Sequence, residues 1–210
     1  MFIIKFMFVS IILLSFNNEN EVSGGYGHEA FMKIRKIFAK KNTQKNCICG
    51  KTDHHTDYII GGYLANEDRY PWMVRLLITR ANGETIGCGG TIITSRHVLT
   101  AAHCTLNHTS ILVEKRGEVF QIKNVLNNPR YDHKRYTYVN DISLLTLQEK
   151  LKFNSTFTPV CLESLRDGKD KYRSRQVMTM GWGKSGKNKT KGLMAVNITS
   201  LDFNGKTTNF

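Results

Sequence analysis

Short runs of β-branched and other apolar residues recur between residues 72 and 180, and turn residues separate them. The clearest runs are residues 72–78, 91–93, 98–100, 110–113, 119–125, 142–147 and 177–180. Short strands at this spacing are typical of an antiparallel barrel or sandwich. Because no long amphipathic helix competes with them, the sequence predicts an all-β fold.

An apolar segment at the N-terminus, residues 2–16, contains one cation, Lys5, and polar residues follow it at once. The segment is shorter than the roughly 20 residues that cross a bilayer as a helix. This layout is typical of a secretory signal peptide, so we expect residues 1–23 to be removed and the mature protein to be extracellular, with no membrane attachment. An uncleaved signal anchor is the alternative.

Five cysteines can oxidise if the chain is exported. They are Cys47, Cys49, Cys88, Cys104 and Cys161. Because five is odd, at least one has no partner within the chain. One residue separates Cys47 from Cys49, which excludes the CxxC redox motif and the zinc-ribbon spacing. The isolated pair His54 and His55 also lacks zinc-ligand spacing, so we expect no metal and no other cofactor.

Four Asn-x-Ser/Thr sequons suggest a glycosylated surface on an exported chain. They begin at Asn107, Asn154, Asn188 and Asn197.

The net charge is +13, from 30 Lys and Arg against 17 Asp and Glu, and the excess is spread along the chain. Charge alone does not imply nucleic acid, and we expect no such partner. Residues 166–191 hold nine cations beside Asp167 and Asp170. Binding of an acidic polysaccharide is one interpretation of this stretch, and the solvated loops of a soluble protein are the favoured one.

His103 stands in the run Thr-Ala-Ala-His-Cys, 15 residues after Cys88 of Cys-Gly-Gly-Thr-Ile-Ile. A bridge between Cys88 and Cys104 would hold the loop that carries His103, and the small alanines would let its ring reach an open cleft. A lone structural histidine is the alternative.

Asp141 precedes an apolar strand in Asn-Asp-Ile-Ser-Leu-Leu, so we expect its carboxylate to be drawn towards the interior. A buried carboxylate is costly unless it is paired or hydrogen-bonded, and a histidine within reach would be such a partner. An Asp that caps a strand at the surface is the alternative.

These segments, taken together, resemble the trypsin/chymotrypsin-like serine endopeptidases over about residues 47–200. The matching pieces are, in order, Ile-Ile-Gly-Gly from Ile59, Tyr-Pro-Trp from Tyr70, Cys-Gly-Gly-Thr-Ile-Ile from Cys88, Thr-Ala-Ala-His-Cys ending at Cys104, Asn-Asp-Ile-Ser-Leu-Leu from Asn140, Pro-Val-Cys-Leu from Pro159 and Gly-Trp-Gly from Gly181.

The resemblance implies two antiparallel β-barrels of the chymotrypsin type, with the active site in the cleft between them. The first barrel is expected in residues 59–147, and the second, incomplete in this chain, opens with strands near 177–180 and 193–201. The resemblance also implies that His103 is the general base and then the general acid, that Asp141 orients it, and that proteins or peptides are the substrates.

The resemblance further implies the disulfides Cys88–Cys104 and Cys49–Cys161, which leaves Cys47 as the odd thiol. Together with the N-terminal apolar segment, the resemblance divides the chain into a signal peptide (1–23), a pro-segment (24–58) and a protease domain (59–210). Cleavage before Ile59 would create the new N-terminus. Because Tyr58 precedes Ile59, a trypsin-like activator would not cut there, and the alternatives are a chymotrypsin-like activator or no activation.

The sequence departs from the family at the nucleophile, because it contains no Gly-Asp-Ser-Gly-Gly motif. Ser185 lies in Gly-Lys-Ser-Gly, but Lys187 stands where a Gly-x-Ser-x-Gly elbow needs glycine, so we interpret it as a loop serine. Two hypotheses follow: a secreted protease zymogen represented by a C-terminally incomplete, inactive chain, or a non-catalytic homologue that acts as a binding or regulatory module.

Overall fold

The computed structural model describes residues 49–50, 63–133, 140–162, 176–185, 188–189 and 192–199. The strands of this part of the chain are β1 (Tyr63–Leu64), β2 (Met73–Arg80), β3 (Thr85–Thr94), β4 (His97–Thr100), β5 (His108–Lys115), β6 (Glu118–Asn127), β7 (Ser143–Leu147), β8 (Gln176–Gly181), β9 (Lys184–Ser185), β10 (Asn188–Lys189) and β11 (Met194–Thr199). A 3₁₀ turn (Glu67–Arg69) and a short helix, α1 (Ala102–Thr105), complete the described elements. None of the helices described is long and apolar enough to cross a membrane.

Strands β2 to β7 close into an antiparallel barrel in the order β2-β3-β4-β7-β6-β5, with β5 returning to β2. Alternate residues of β2 fill its interior, and the side chains of Val74, Leu76 and Ile78 are fully buried there. Gly90 on β3 leaves room for this core, because a Cβ at that position would lie 2.7 Å from Cγ1 of Val98. The all-β prediction is confirmed.

A second, partial sheet has the order β1-β11-β8. Tyr63 and Leu64 of β1 pair with Ala195 and Met194 of β11, so the expectation that the first barrel starts at residue 59 is wrong at this strand. Backbone hydrogen bonding explains why β1 belongs to the second sheet, since Ala65 continues the pairing by donating its N–H to the carbonyl of Leu193 at 2.7 Å.

A buried cluster joins the partial sheet to the barrel. It contains Tyr70 just before β2 and Met73 at its start, together with Leu193 just before β11 and Ala195 within it. The entry to β2 therefore packs on both layers, and it fixes the barrel against the sheet through apolar contact.

The prediction that Ser185 lies in a loop is also wrong. Ser185 belongs to β9, which pairs with β10 so that the backbone of Ser185 is in register with that of Asn188. Two residues separate these strands, and sequence patterning does not detect strands of only two residues.

Candidate active site

His103 lies on α1, directly after β4 leaves the barrel. Ala101 has an extended backbone (φ −83°, ψ 145°) and precedes the helix, and Ala101 and Ala102 are buried. Thr105 ends the helix and fixes it, because its hydroxyl oxygen lies within hydrogen-bond distance of two acceptors, the carbonyl of Ala102 at 3.0 Å and Oδ1 of Asn127 at 2.6 Å. This anchoring directs the His103 ring outwards, where 52% of its side chain is exposed.

The disulfide Cys88–Cys104 ties α1 to β3. Cys104 is buried, and its Sγ lies 3.4 Å from Nε2 of His103. The bond therefore holds the backbone on the C-terminal side of His103 and flanks its ring. This is the pairing that the family resemblance implied.

Asp141 is buried at the entry to β7, as expected from its position before an apolar strand. Asn140 before it has a left-handed backbone (φ 62°), which asparagine tolerates better than most residues. Ile142 after it donates its N–H to the carbonyl of Asn140 at 2.8 Å and packs in a buried cluster with Leu99. The turn is thus held on both sides of the carboxylate.

Both oxygens of Asp141 contact His103. Oδ1 accepts the backbone N–H of His103 at 2.8 Å, and Oδ2 lies 2.6 Å from Nδ1 of the ring. With the Nδ1 proton donated to this carboxylate, a neutral imidazole has its lone pair at Nε2. The pair can therefore accept a proton at Nε2 and stabilise the imidazolium that results.

Among the serines whose side chains the structure describes, none donates a hydrogen bond to Nε2 of His103. The Oγ of Ser143, on β7, lies instead 3.5 Å from both Oγ1 of Thr105 and the carbonyl of Leu126. Ser143 is completely buried and therefore supports α1 from beneath. It is not placed to act on a substrate.

Cys88, His103 and Cys104 bring one potential ligand atom each within 4.8 Å of one another, in the manner of a metal site. Both sulfurs are bonded to each other, so neither is available as a thiolate. The cluster does not fit a metal ion in the oxidised protein.

Lys115 is a buried cation that the sequence analysis missed. Its Nζ donates to the carbonyls of Met73 at 2.8 Å and Tyr70 at 3.4 Å. Burial lowers the pKa of Lys115, and the charge of Glu67 partly opposes this shift. The signal was present in β5, since the buried residues Ile111, Val113 and Lys115 alternate along one face.

Tyr70 shares this buried region, and burial raises its pKa to about 12, with a further contribution from its hydrogen bond to Tyr63. The two hydroxyl oxygens are 2.9 Å apart, and the hydroxyl of Tyr70 also donates to Sδ of Met178 at 3.0 Å. Nearby, Nε1 of Trp182 donates to Glu67 at 3.0 Å. These polar contacts stabilise the junction between the barrel and the partial sheet. The sequence motifs carry no information about this junction.

Several predicted sites lie outside the described residues, namely the signal peptide (1–23), Cys47, Tyr58, Ile59 and most of the basic stretch 166–191. Cys49 is described and is bonded to Cys161. Of the four sequon asparagines, Asn107 and Asn154 are exposed, Asn197 is partly buried, and Asn188 lies on β10.

Comparison with known proteins gives matches in sequence and in fold. Residues 59–209 match the family model described as Trypsin. The chain is 31% identical over 155 residues to the proclotting enzyme of Tachypleus tridentatus, covering 65% of this chain and 41% of that protein. It is also 31% identical over 169 residues to venom serine protease 34 of Apis mellifera, covering 73% and 40%.

The solved structure of HL collagenase is 26% identical and superposes with a TM-score of 0.60, covering 69% of this chain and 64% of that one. The chain thus spans about two fifths of the length of both curated relatives.

Proposed function

The chain belongs to the trypsin family of serine proteases, and on this basis we propose that the whole protein is a secreted serine endopeptidase made as a zymogen. One observation carries the proposal: Asp141 holds Nδ1 of His103 at 2.6 Å, and the ring remains half exposed. A buried carboxylate that orients an exposed imidazole is the arrangement that activates a hydroxyl nucleophile.

In the proposed reaction, a serine hydroxyl attacks the peptide carbonyl while Nε2 of His103 takes its proton. The imidazolium forms next to the Asp141 carboxylate, which stabilises its charge. His103 then gives the proton to the leaving amine, and a water molecule repeats the sequence on the acyl-enzyme. The 210 residues do not contain the Gly-Asp-Ser-Gly-Gly motif in which the family carries its nucleophilic serine.

Activation is proposed to occur by cleavage before Ile59, which separates the pro-segment 24–58 from the protease domain. The disulfide Cys49–Cys161 would keep the two pieces together. The segment at Gly50 lies close to Cys161, which supports this link: Gly50 has φ +62°, and a Cβ there would lie 2.9 Å from Sγ of Cys161. The N–H of Gly50 also donates to the carbonyl of Pro159 at 2.9 Å.

A serine-directed fluorophosphonate tests the proposal on the protein expressed from its verified transcript and cleaved before Ile59. The expected result is stoichiometric labelling that His103→Ala abolishes and that His133→Ala, at another exposed histidine, leaves intact. Absence of labelling in the wild-type protein would reject the endopeptidase proposal.

A non-catalytic homologue is the second candidate, and the missing Gly-Asp-Ser-Gly-Gly motif is the observation that favours it. Such a protein would keep the barrel and the His103–Asp141 pair but act by binding. The basic stretch 166–191 would then be a contact for an acidic polysaccharide. Salt-sensitive retention on heparin, lost when the cations of that stretch are neutralised, is the expected behaviour.

A further inference from the structure

The sequons begin at asparagines that lie in different structural settings. Asn107 is exposed, with φ 52°, in the turn between α1 and β5. Asn154 is exposed too, and its Oδ1 accepts the N–H groups of Thr156 and Phe157 at 2.8 and 2.9 Å. A glycan is attached to Nδ2, so it would leave these bonds at Oδ1 in place. Both positions accept a bulky modification without a change in packing.

Asn197 has a different environment, because it lies within β11 and pairs with Met178 of β8. Successive side chains of a strand alternate between faces, so Asn197 shares a face with Leu193 and Ala195, which are each 1% exposed. Its partner Met178 accepts a hydrogen bond from Tyr70 at 3.0 Å. Met178 itself is 42% exposed, so this face is packed on the side of Leu193 and Ala195, and a glycan at the partly buried Asn197 would have to displace contacts there.

The segment that carries Asn107 is fixed relative to His103. Three residues separate the two, so their Cα atoms, four positions apart in the chain, lie within about 15 Å of each other. Nδ1 of His108 lies 2.6 Å from the carbonyl of Thr105, and the hydroxyl of Thr109 donates to the carbonyl of Thr79 at 3.1 Å. A glycan on Asn107 would therefore start from a fixed segment within about 15 Å of His103, whose ring is half exposed.

We propose that the folded, secreted protein carries N-linked glycans at Asn107 and Asn154 but not at Asn197, and that the Asn107 glycan limits the approach of macromolecules to His103. A glycan is much bulkier than a side chain, so it hinders protein-sized partners more than short peptides. The consequence for protein substrates rests on the proposed endopeptidase function, whereas the modification and the shielding do not.

Peptide mapping tests the modification on the full-length protein secreted from eukaryotic cells. Release of the N-glycans in ¹⁸O-water converts each glycosylated Asn to a labelled Asp. We expect label at Asn107 and Asn154 and none at Asn197. Label at Asn197 in the folded protein overturns the assignment. Absence of label at either Asn107 or Asn154 also overturns it, for any reason including failure of export.

Shielding can be measured without catalysis, through the binding of a Fab. The Fab is raised against the deglycosylated protein, and it is selected for failing to bind His103→Ala, so that its epitope includes His103. We expect it to bind the glycosylated wild type at least tenfold more weakly than Asn107→Gln. Thr109→Ser retains the sequon and should retain the weak binding, and Asn154→Gln should leave it weak. Equal binding to the wild type and Asn107→Gln would overturn the shielding, even if the protein proves to be an active protease.

Discussion

The carboxylate of Asp141 holds His103 at two points, through Oδ1 to the backbone N–H at 2.8 Å and through Oδ2 to Nδ1 at 2.6 Å. One buried group thus positions both the backbone and the ring of the histidine. Since the two oxygens are committed to different donors, an asparagine at this position cannot satisfy both. If its oxygen keeps the backbone N–H, its NH₂ faces Nδ1 and forces the ring proton to Nε2.

We expect Asp141→Asn to lower the kcat of the active protease by about 10³- to 10⁴-fold, because the wrong tautomer removes the lone pair at Nε2. KM for a short peptide substrate should change little, since no binding contact is lost. Glu118→Gln, which neutralises an exposed carboxylate on β6, is the control and should keep wild-type kcat. A kcat within tenfold of wild type for Asp141→Asn would contradict the assigned role.

The sequence predicted an antiparallel barrel or sandwich because its strands are long enough to leave recognisable β-rich runs, and the family resemblance implied the barrel. The run 110–113 lies in β5, and the run 119–125 lies in β6. The sequence also predicted that His103 and Asp141 form a pair, since both stand in specific motifs. It did not predict α1, because four residues are too few for a helical period.

Contacts between distant parts of the chain account for the remaining errors. The strand β1 joins the second sheet because its partner is β11, and no local pattern encodes that pairing. Alternation along β5 places Lys115 on the buried face, but the acceptors of its charge, the carbonyls of Tyr70 and Met73, are more than 40 residues away in sequence. Burial of a charged group depends on such acceptors, and a residue's own neighbours do not reveal them.

The substitution Gly90→Ala should destabilise the barrel. Its Cβ would lie 2.7 Å from Cγ1 of Val98 and 3.2 Å from Cγ2 of Val74, both fully buried. Overpacking of this kind costs about 1–3 kcal/mol of the free energy of unfolding. Gly87→Ala on the same strand is the control, because its Cβ meets nothing closer than the Arg75 guanidinium at 3.7 Å. Urea unfolding compares the two variants, and equal midpoints would contradict the packing argument.

Cleavage before Ile59 should leave the pro-segment attached through Cys49–Cys161. We expect the cleaved protein to migrate as one species without reductant and as two species with it. Cys161→Ser should release the pro-segment even without reductant, whereas Cys88→Ser combined with Cys104→Ser should not. Retention of the pro-segment in Cys161→Ser would show that another contact holds it.

Tyr70 should make stability fall at alkaline pH. Its pKa is raised from 10.0 to about 12 in the folded protein, so folding favours the neutral phenol. Below pH 10 the phenol is neutral in both states and the contribution is fully present. As the pH rises from about 10 to 12, the unfolded chain loses this proton before the folded protein does. The free energy of unfolding should therefore decrease, by on the order of 2 kcal/mol.

Comparison with Tyr70→Phe isolates this contribution. Lys115 acts in the opposite direction, because its pKa is lowered and its folded form loses the proton first, but it is present in both proteins and cancels in the difference. The variant also loses the hydroxyl contacts to Tyr63 and Met178, which adds an offset that is constant below pH 10. Urea unfolding from pH 7 to 12 should show the difference between the two proteins shrinking above pH 10. A difference that stays constant over the whole range would mean that Tyr70 ionises equally readily in the folded and unfolded states.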